Sequence, residues 1–496
     1  LKSKAQDWPK IYGDNFHSIV RDLSETYDRG YIITGYTYDQ TGWPEYDWIL
    51  KIDINGGILW DKRYGDGDYS NGMSSSCMTS DNGIICCGAT SKYSGNYDPT
   101  FIKMDVCGEI EWCRVLISPD QNYGTDVIQI SDGSYIGLLT YYGIDSTYSR
   151  ISLVKMDQLG EPIWIQQLAQ QDSLIFNEEG GYLYLTSDTN YLVSGECFHP
   201  GLKPLWIDTD TSGNQIWDLI WQGGYGSAYQ VVENNNDYFY SSGAYAETGR
   251  PITPTIFKFD NEGSPINKQY LFGDSIDGGY ARSLCYYNDS TLYTGIIWGS
   301  PSSSDIIYFS EIFKLDTLSN LLDRRLLLNE SQAPECILRT SDNKILVGGS
   351  YVVDGNWDIH LWKMNQDLEN DTLYTQPITY DSLCRYQIIS DTVDLDCGVF
   401  VNVDELPTKE EYESTIKISP NPAREWIALT LPDNVAPGNI ELKIYNNFGQ
   451  KILNKAVIQG NRMISCNISG FSSGFYLAVC KDSRGKFYKG KFIVGR

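Results

Sequence analysis

One phrase, Lys-x-Asp, recurs through most of this chain at steps of about fifty residues. It stands as Lys51-Ile52-Asp53, Lys103-Met104-Asp105, Lys155-Met156-Asp157, Lys258-Phe259-Asp260 and Lys314-Leu315-Asp316. Asp208-Thr209-Asp210 and Lys363-Met364-Asn365 are degenerate copies. The steps from Asp53 onward are 52, 52, 53, 50, 56 and 49 residues, which makes seven copies. A Trp follows seven residues after the phrase in the early copies, at Trp60, Trp112, Trp164 and Trp217. A Gly ends an apolar run at Gly35, Gly88, Gly195, Gly243, Gly295 and Gly349, with Leu138 in the third copy. A repeat of this period is one supersecondary unit that cannot bury its apolar face alone, so the copies must stack on one another.

Each apolar run follows a polar turn such as Asp28-Arg29-Gly30, Asp81-Asn82-Gly83 or Asp132-Gly133. Asp-Gly and Asn-Gly supply the positive φ that tight hairpins need. Four short strands fit one copy, near residues 17–23, 31–37, 47–53 and 58–64 in the first. Four strands at this period read as one propeller blade. The two ends have complementary defects. Trp8 and Tyr12-Gly13 lie one repeat before Trp60 and Tyr64-Gly65, so residues 6–13 are a fourth strand without the first three. Residues 333–365 are three strands without a fourth. The expected architecture is all-β: a seven-bladed β-propeller over residues 1–375, closed by the N-terminal strand so that no sheet edge is left open.

Composition agrees. The 496 residues include 37 Tyr, 13 Trp and 46 Gly, a profile of strands and tight turns. The net charge of −26 argues against nucleic acid and anionic membranes, which need a basic face. No stretch approaches the roughly 20 apolar residues of a transmembrane segment. Residue 1 is Leu and no apolar signal core follows, which reads as a mature end after signal-peptide removal. In an exported protein the 12 Cys permit disulfides, with neighbours in sequence as the expected pairs: Cys107 with Cys113, Cys384 with Cys397, and Cys466 with Cys480. No Cys-x-x-Cys occurs and His17, His199 and His360 are far apart, so neither a metal nor another cofactor is expected. Asp208-Thr209-Asp210-Thr211-Ser212-Gly213 imitates the start of a calcium loop, but Leu219 stands where its terminal acid belongs. The repeated Trp, recurring at one structural position, read as packing between blades.

Beyond residue 370 the repeat stops. Residues 376–413 read as a linker with extra strands around Cys384 and Cys397, followed by the acidic stretch Glu405–Glu413. From residue 414 to 496, about seven short strands suit a small Ig-like β-sandwich. Four features lie here in order: Ser419-Pro420-Asn421-Pro422, Ile444-Tyr445-Asn446-Asn447-Phe448-Gly449, Gly474-Phe475-Tyr476, and the basic end with Lys489 and Lys491. With these, residues 414–496 resemble a type A C-terminal sorting domain of the Bacteroidetes type IX secretion system. Asn446 replaces the usual Asp and Phe475 the usual Val or Ile. The propeller half also resembles repeat propellers of secreted proteins from that phylum. The resemblance implies export through the periplasm and outer membrane to the cell surface or medium, with secretion machinery and an outer-membrane shuttle as partners. It also implies O-glycosylation at Asp-Ser/Thr sites, here Ser146, Ser173, Ser275, Ser290, Thr317, Thr372, Ser382 and Thr392.

Catalytic signals are weak. Gly470-Phe471-Ser472-Ser473-Gly474 matches a nucleophile elbow in letters, but a strand follows it where a helix is required. No catalytic residues are assigned. The expectation is a non-enzymatic surface or secreted propeller that binds a glycan or protein. The alternatives are a polysaccharide-degrading propeller enzyme, which would need convergent carboxyls at the channel, and an accessory subunit of an outer-membrane assembly.

Overall fold

The structure, a computed structural model, describes residues 8–39, 41–42, 45–117, 121–142, 149–168, 176–198, 201–235, 238–247, 249–272, 278–299, 309–329, 334–353, 355–378, 384, 390–401, 416–432, 435, 439–446, 451–458, 463–483 and 487–495. The first repeat forms an antiparallel sheet of four strands, His17–Glu25, Tyr31–Tyr38, Glu45–Ile52 and Ile58–Tyr64. Six further sheets repeat this meander up to residue 364. In the last, strands Cys336–Arg339, Ile345–Val353 and Asn356–Met364 are joined by Lys10–Tyr12, with Lys10 opposite Leu361 and Tyr12 opposite Ile359. The complementary end defects therefore meet in one sheet. First strands pack against first strands from sheet to sheet, and the seventh sheet packs on the first, giving a propeller-like arrangement around an axis.

The repeat words now have physical meanings. The lysine of Lys-x-Asp reaches back to the acid of the first hairpin in its own sheet: Lys51 to Asp28 at 2.8 Å, Lys103 to Asp81 at 3.0 Å, Lys155 to Asp132 at 3.0 Å and Lys363 to Asp342 at 2.7 Å. In the fourth copy the charge is exchanged, and Asp208 accepts from Asn190. The second acid turns the other way. Asp53 accepts the N–H groups of Asn55 and Gly57, and the same Asx turn recurs at Asp105, Asp157, Asp210, Asp260, Asp316 and Asn365. Asp210, first of the calcium-like acids in that turn, is thus occupied by the backbone of Ser212 and Asn214 and by the Asn214 amide.

The repeated Trp pack between sheets. Trp8, Trp60, Trp112, Trp164 and Trp217 lie over Gly56, Gly108, Gly160, Gly213 and Gly263 in the outer hairpin of the following sheet. A Cβ on Gly263 would sit 2.5 Å from the Trp217 ring, and its φ of +78° also favours glycine. In the third sheet Leu138 lies opposite Asp126 just after the bulge, as Gly295 lies opposite Ser283 in the sixth.

Residues after the repeat run along the outside of the first two sheets. Asp391–Val393 adds in parallel to Ile58–Tyr64, and Gly398–Val401 to Ile110–Ile117. The disulfides are Cys107–Cys384 and Cys113–Cys397, so the expected sequence-local pairing is replaced by two bonds across 277 and 284 residues. Two covered outer edges and two staples leave this part of the expected linker bound to the sheets. Residues 405–413 lie outside the described residues.

The C-terminal unit has a three-stranded sheet (Lys417–Ser419, Trp426–Thr430, Met463–Asn467) and a four-stranded one (Asn439–Asn446, Lys451–Ile458, Gly474–Lys481, Phe487–Val494) sharing one apolar core. Cys466 and Cys480 are buried in that core on different sheets and carry free thiols, contrary to the expected third pair.

Candidate functional site

Six of the seven inner strands bulge at the same place. The residues left out of register are Arg21, Ser74, Thr125, Gly181, Tyr229 with Gln230, and Arg282. A bulge re-aims the side chain it frees. All of these line a cavity of about 840 Å3 on the axis, completed by Glu335 to Leu338 of the seventh sheet.

The residues beside the bulges clasp sheet to sheet. Asp22 accepts Ser76 N–H at 2.9 Å and Leu23 N–H at 2.8 Å. The Ser75 hydroxyl donates to Asp126 at 2.5 Å, and Asp126 accepts Val127 N–H at 2.8 Å and Leu183 N–H at 2.7 Å. Gln230 donates to the Tyr182 hydroxyl at 3.2 Å and accepts Leu284 N–H at 2.9 Å. These bonds link the first six sheets in turn. On the seam between the seventh and first sheets, Val20 N–H donates to Ser350 Oγ at 2.9 Å, and Glu25 accepts both the N–H and the hydroxyl of Ser341.

Burial dominates the electrostatics. Loss of hydration pushes Asp22 up to about 6 and Asp126 up to about 7, against the lowering effect of their hydrogen bonds. The cavity wall also carries Glu25, Glu179, Glu196 and Glu335, with Arg21 and Arg282 as its cations. Arg282 lies 4.0 Å from Glu335 and covers the Tyr229 ring at 4.9 Å. The raised carboxyls resemble a general-acid arrangement, yet both oxygens of each already accept backbone N–H groups. A general acid needs its proton within hydrogen-bond reach of the substrate.

Sequence reasoning missed these residues. A signal was present, since Arg21 and Arg282 occupy one repeat position five copies apart. It was hidden because a bulge places an extra residue between the markers that define the repeat. Of the histidines, His360 is buried against Tyr351 and Trp362, and burial pushes it down to about 4; His17 stacks on Tyr38. His199 lies outside the described residues.

At the C-terminus, the expected motif residues hold the last strand in place. Asn421 accepts Ile493 N–H at 2.8 Å and donates to the Lys491 carbonyl at 3.3 Å, between Pro420 and Pro422. Gly474 opens a strand at φ +157°, and Tyr476 stacks on Phe492 at 5.5 Å and donates to the Ser472 carbonyl. Lys489 lies in the last strand opposite Val479, and Lys491 pairs with Asp157. Gly449 lies outside the described residues. Residues 417–495 match the family described as the secretion system C-terminal sorting domain. The chain carries a type IX sorting domain. This sorting domain engages the type IX machinery and marks the chain for export to the cell surface or extracellular space. Among the described residues no helix is long and apolar enough to cross a membrane.

Of the Asp-Ser/Thr sites, Ser290, Thr372 and Thr392 are exposed, Thr317 is half-buried, and Ser146, Ser173, Ser275 and Ser382 lie outside the described residues. No curated protein matches the chain carrying the sorting domain. Solved structures similar to it include a protein of unknown function from Dyadobacter fermentans (11% identity, TM-score 0.42, 61% of this chain and 97% of that one). Others are a polysaccharide lyase described as an ulvan lyase (9%, 0.47, 72% and 96%) and the WD40 domain of SCAP from fission yeast (9%, 0.35, 73% and 99%). At such scores the likeness carries no inference about activity.

Proposed function

We propose that the chain is a seven-bladed β-propeller (residues 1–375), a strapping linker (376–413) and a small Ig-like sorting sandwich (414–496). Type IX secretion delivers it as a non-enzymatic binding protein whose ligand lodges in the axial cavity. The carrying observation is the ring of bulges. Six sheets spend backbone regularity at one level to turn side chains toward one space of about 840 Å3, within the range of ligand sites. The binding reading over an enzyme rests on Asp22 and Asp126, which serve as clasps between sheets. Exposed Ser290, Thr372 and Thr392 are the favoured O-glycan acceptors over Thr317.

The test uses the purified exported protein in native gels cast with single polysaccharides, with product release assayed in parallel. Gly181→Trp fills the cavity, because the nearest atom to a Cβ there is 3.8 Å away. The expected result is retardation without product, lost in Gly181→Trp. The raised pKa of Asp126 favours a second reading, a glycan-cleaving enzyme. Product release by the parent that disappears in Asp126→Asn at a matched thermal melting profile would establish that reading in place of binding.

A further inference from the structure

The face of the sheets that carries the second hairpins holds a smaller cavity of about 150 Å3 at the seam of the seventh and first sheets. Its walls are Ile19, Arg21, Tyr36, Tyr38, Glu335, Ser350 and Trp357. Arg21 and Glu335 line the axial cavity as well, so the two spaces share a wall. The size is below the roughly 300–1,000 Å3 of sites for drug-sized ligands, and suits one small ring.

The seam departs from the repeat. Tyr36 follows Gly35, and the residues in that place after Gly88, Gly195, Gly243, Gly295 and Gly349 are Ala89, Glu196, Ala244, Ile296 and Ser350, so only the first copy puts an aromatic ring there. The aromatics are held from behind. Tyr36 and Tyr38 stack at 6.1 Å, His17 stacks on Tyr38 at 4.8 Å, and His17 Nδ1 accepts Trp357 N–H at 3.1 Å. Arg21 lies over the Tyr36 ring at 5.4 Å and donates to its hydroxyl at 3.4 Å. Ser350 already accepts Val20 N–H, which leaves its own proton to donate. Rigid aromatic walls beside one guanidinium, one carboxylate and one hydroxyl complement a molecule that has an apolar C–H face and a rim of hydroxyls.

We infer that this pocket, on the reading that the axial cavity binds a ligand, takes one pyranose ring of a neutral glycan beside the Arg21–Glu335 wall it shares with that cavity. Neutrality follows from charge. Beside the protonation-prone Asp22 and Asp126, the axial wall carries Glu25, Glu179, Glu196 and Glu335 against Arg21 and Arg282, and the whole chain carries −26. A uronate or sulfated chain would enter against that field.

Calorimetric titration of the full exported protein with neutral hexose oligosaccharides and with uronate oligosaccharides tests this. The expected result is binding of a neutral oligosaccharide that weakens at least tenfold in Tyr36→Ala and Trp357→Ala, with little change in Tyr36→Phe. Gly181→Trp reports the axial cavity separately. Binding that Gly181→Trp abolishes but the Tyr36 and Trp357 variants leave unchanged overturns the pocket and keeps the channel. Binding of uronate chains alone overturns neutrality. Failure of every oligosaccharide, with a protein partner captured in a Gly181→Trp-sensitive way, overturns the glycan assignment. Each variant is compared at a matched thermal melting profile, and Tyr38→Leu replaces any that fails to fold.

Discussion

At the residue scale, the word Lys-x-Asp is two devices in one. Its lysine ties the third strand to the first hairpin, while its acid builds the next hairpin. Lys51 and Asp28 are both almost fully buried, at 1% and 2% side-chain exposure, and burial pulls the lysine below its ordinary range despite the acid beside it. Removing one partner strands the other charge. Lys51→Met is therefore expected to destabilise the protein by about 3–5 kcal/mol, measured by urea unfolding. Lys51→Met with Asp28→Asn should recover part of the loss, and a double variant no better than the single one would refute the pairing argument. Asp126 gives a pH signature. Its folded value of about 7 lies above the roughly 3.9 of an unfolded Asp. The fold thus holds the proton more tightly than the unfolded chain, so its contribution is full below pH 4 and is lost as pH rises through 7. Unfolding curves at pH 5 and pH 8 should differ less in Asp126→Asn than in the parent. The same variant should lower stability at pH 5 by about 1–3 kcal/mol, because an amide NH2 replaces an acceptor facing an N–H.

At the element scale, most strands could be read in advance because hairpin turns and alternating burial are local. The first sheet was expected at 17–23, 31–37, 47–53 and 58–64 and forms within two residues of those limits. The Trp packing was legible for the same reason, since five copies carry the Trp in one environment. The disulfides were not. Four cysteines allow three connectivities, and sequence distance says nothing about which outer edge a returning segment will follow. Cys107 and Cys113 sit on the outer hairpin and strand of the second sheet, and it is the parallel strands 391–393 and 398–401 that bring Cys384 and Cys397 to them. The clasp residues were equally illegible, because their partners lie on the neighbouring sheet. Peptide mapping without reduction should recover cross-linked fragments 107–384 and 113–397 and no 466–480 link. Cys113→Ser with Cys397→Ser should lower stability by about 2–4 kcal/mol and expose the segment after residue 376 to protease first. Protection equal to the parent would mean that the parallel strands alone hold the strap.

At the scale of the whole molecule, everything depends on one short strand. Lys10–Tyr12 contributes only three paired residues, yet it covers the edge of Asn356–Met364, where Ile359 and Leu361 are fully buried. It also anchors neighbours. Trp8 lies over Gly56, the Tyr12 hydroxyl donates to the Gly56 carbonyl at 2.8 Å, and Asn370 donates to the Trp8 carbonyl at 2.6 Å. The strand thus adds to the direct seam bonds between the seventh and first sheets, and it closes the outer edge of the ring around the cavity. Deleting residues 1–13 should leave an unpaired edge that recruits other chains. The expected readout is a shift from monomer to larger species in light scattering, with a lower melting temperature. A synthetic peptide of residues 6–13, added in excess to offset the lost chain connection, should reverse both changes, because the strand holds its neighbours by hydrogen bonds and packing alone. Rescue by the peptide, together with restored polysaccharide retardation, would tie ring closure to the cavity. A truncated chain that stays monomeric with an unchanged melting temperature would show that the sheets hold their arrangement without the joint, and the functional importance assigned to the axial cavity would then have to stand on the bulges alone.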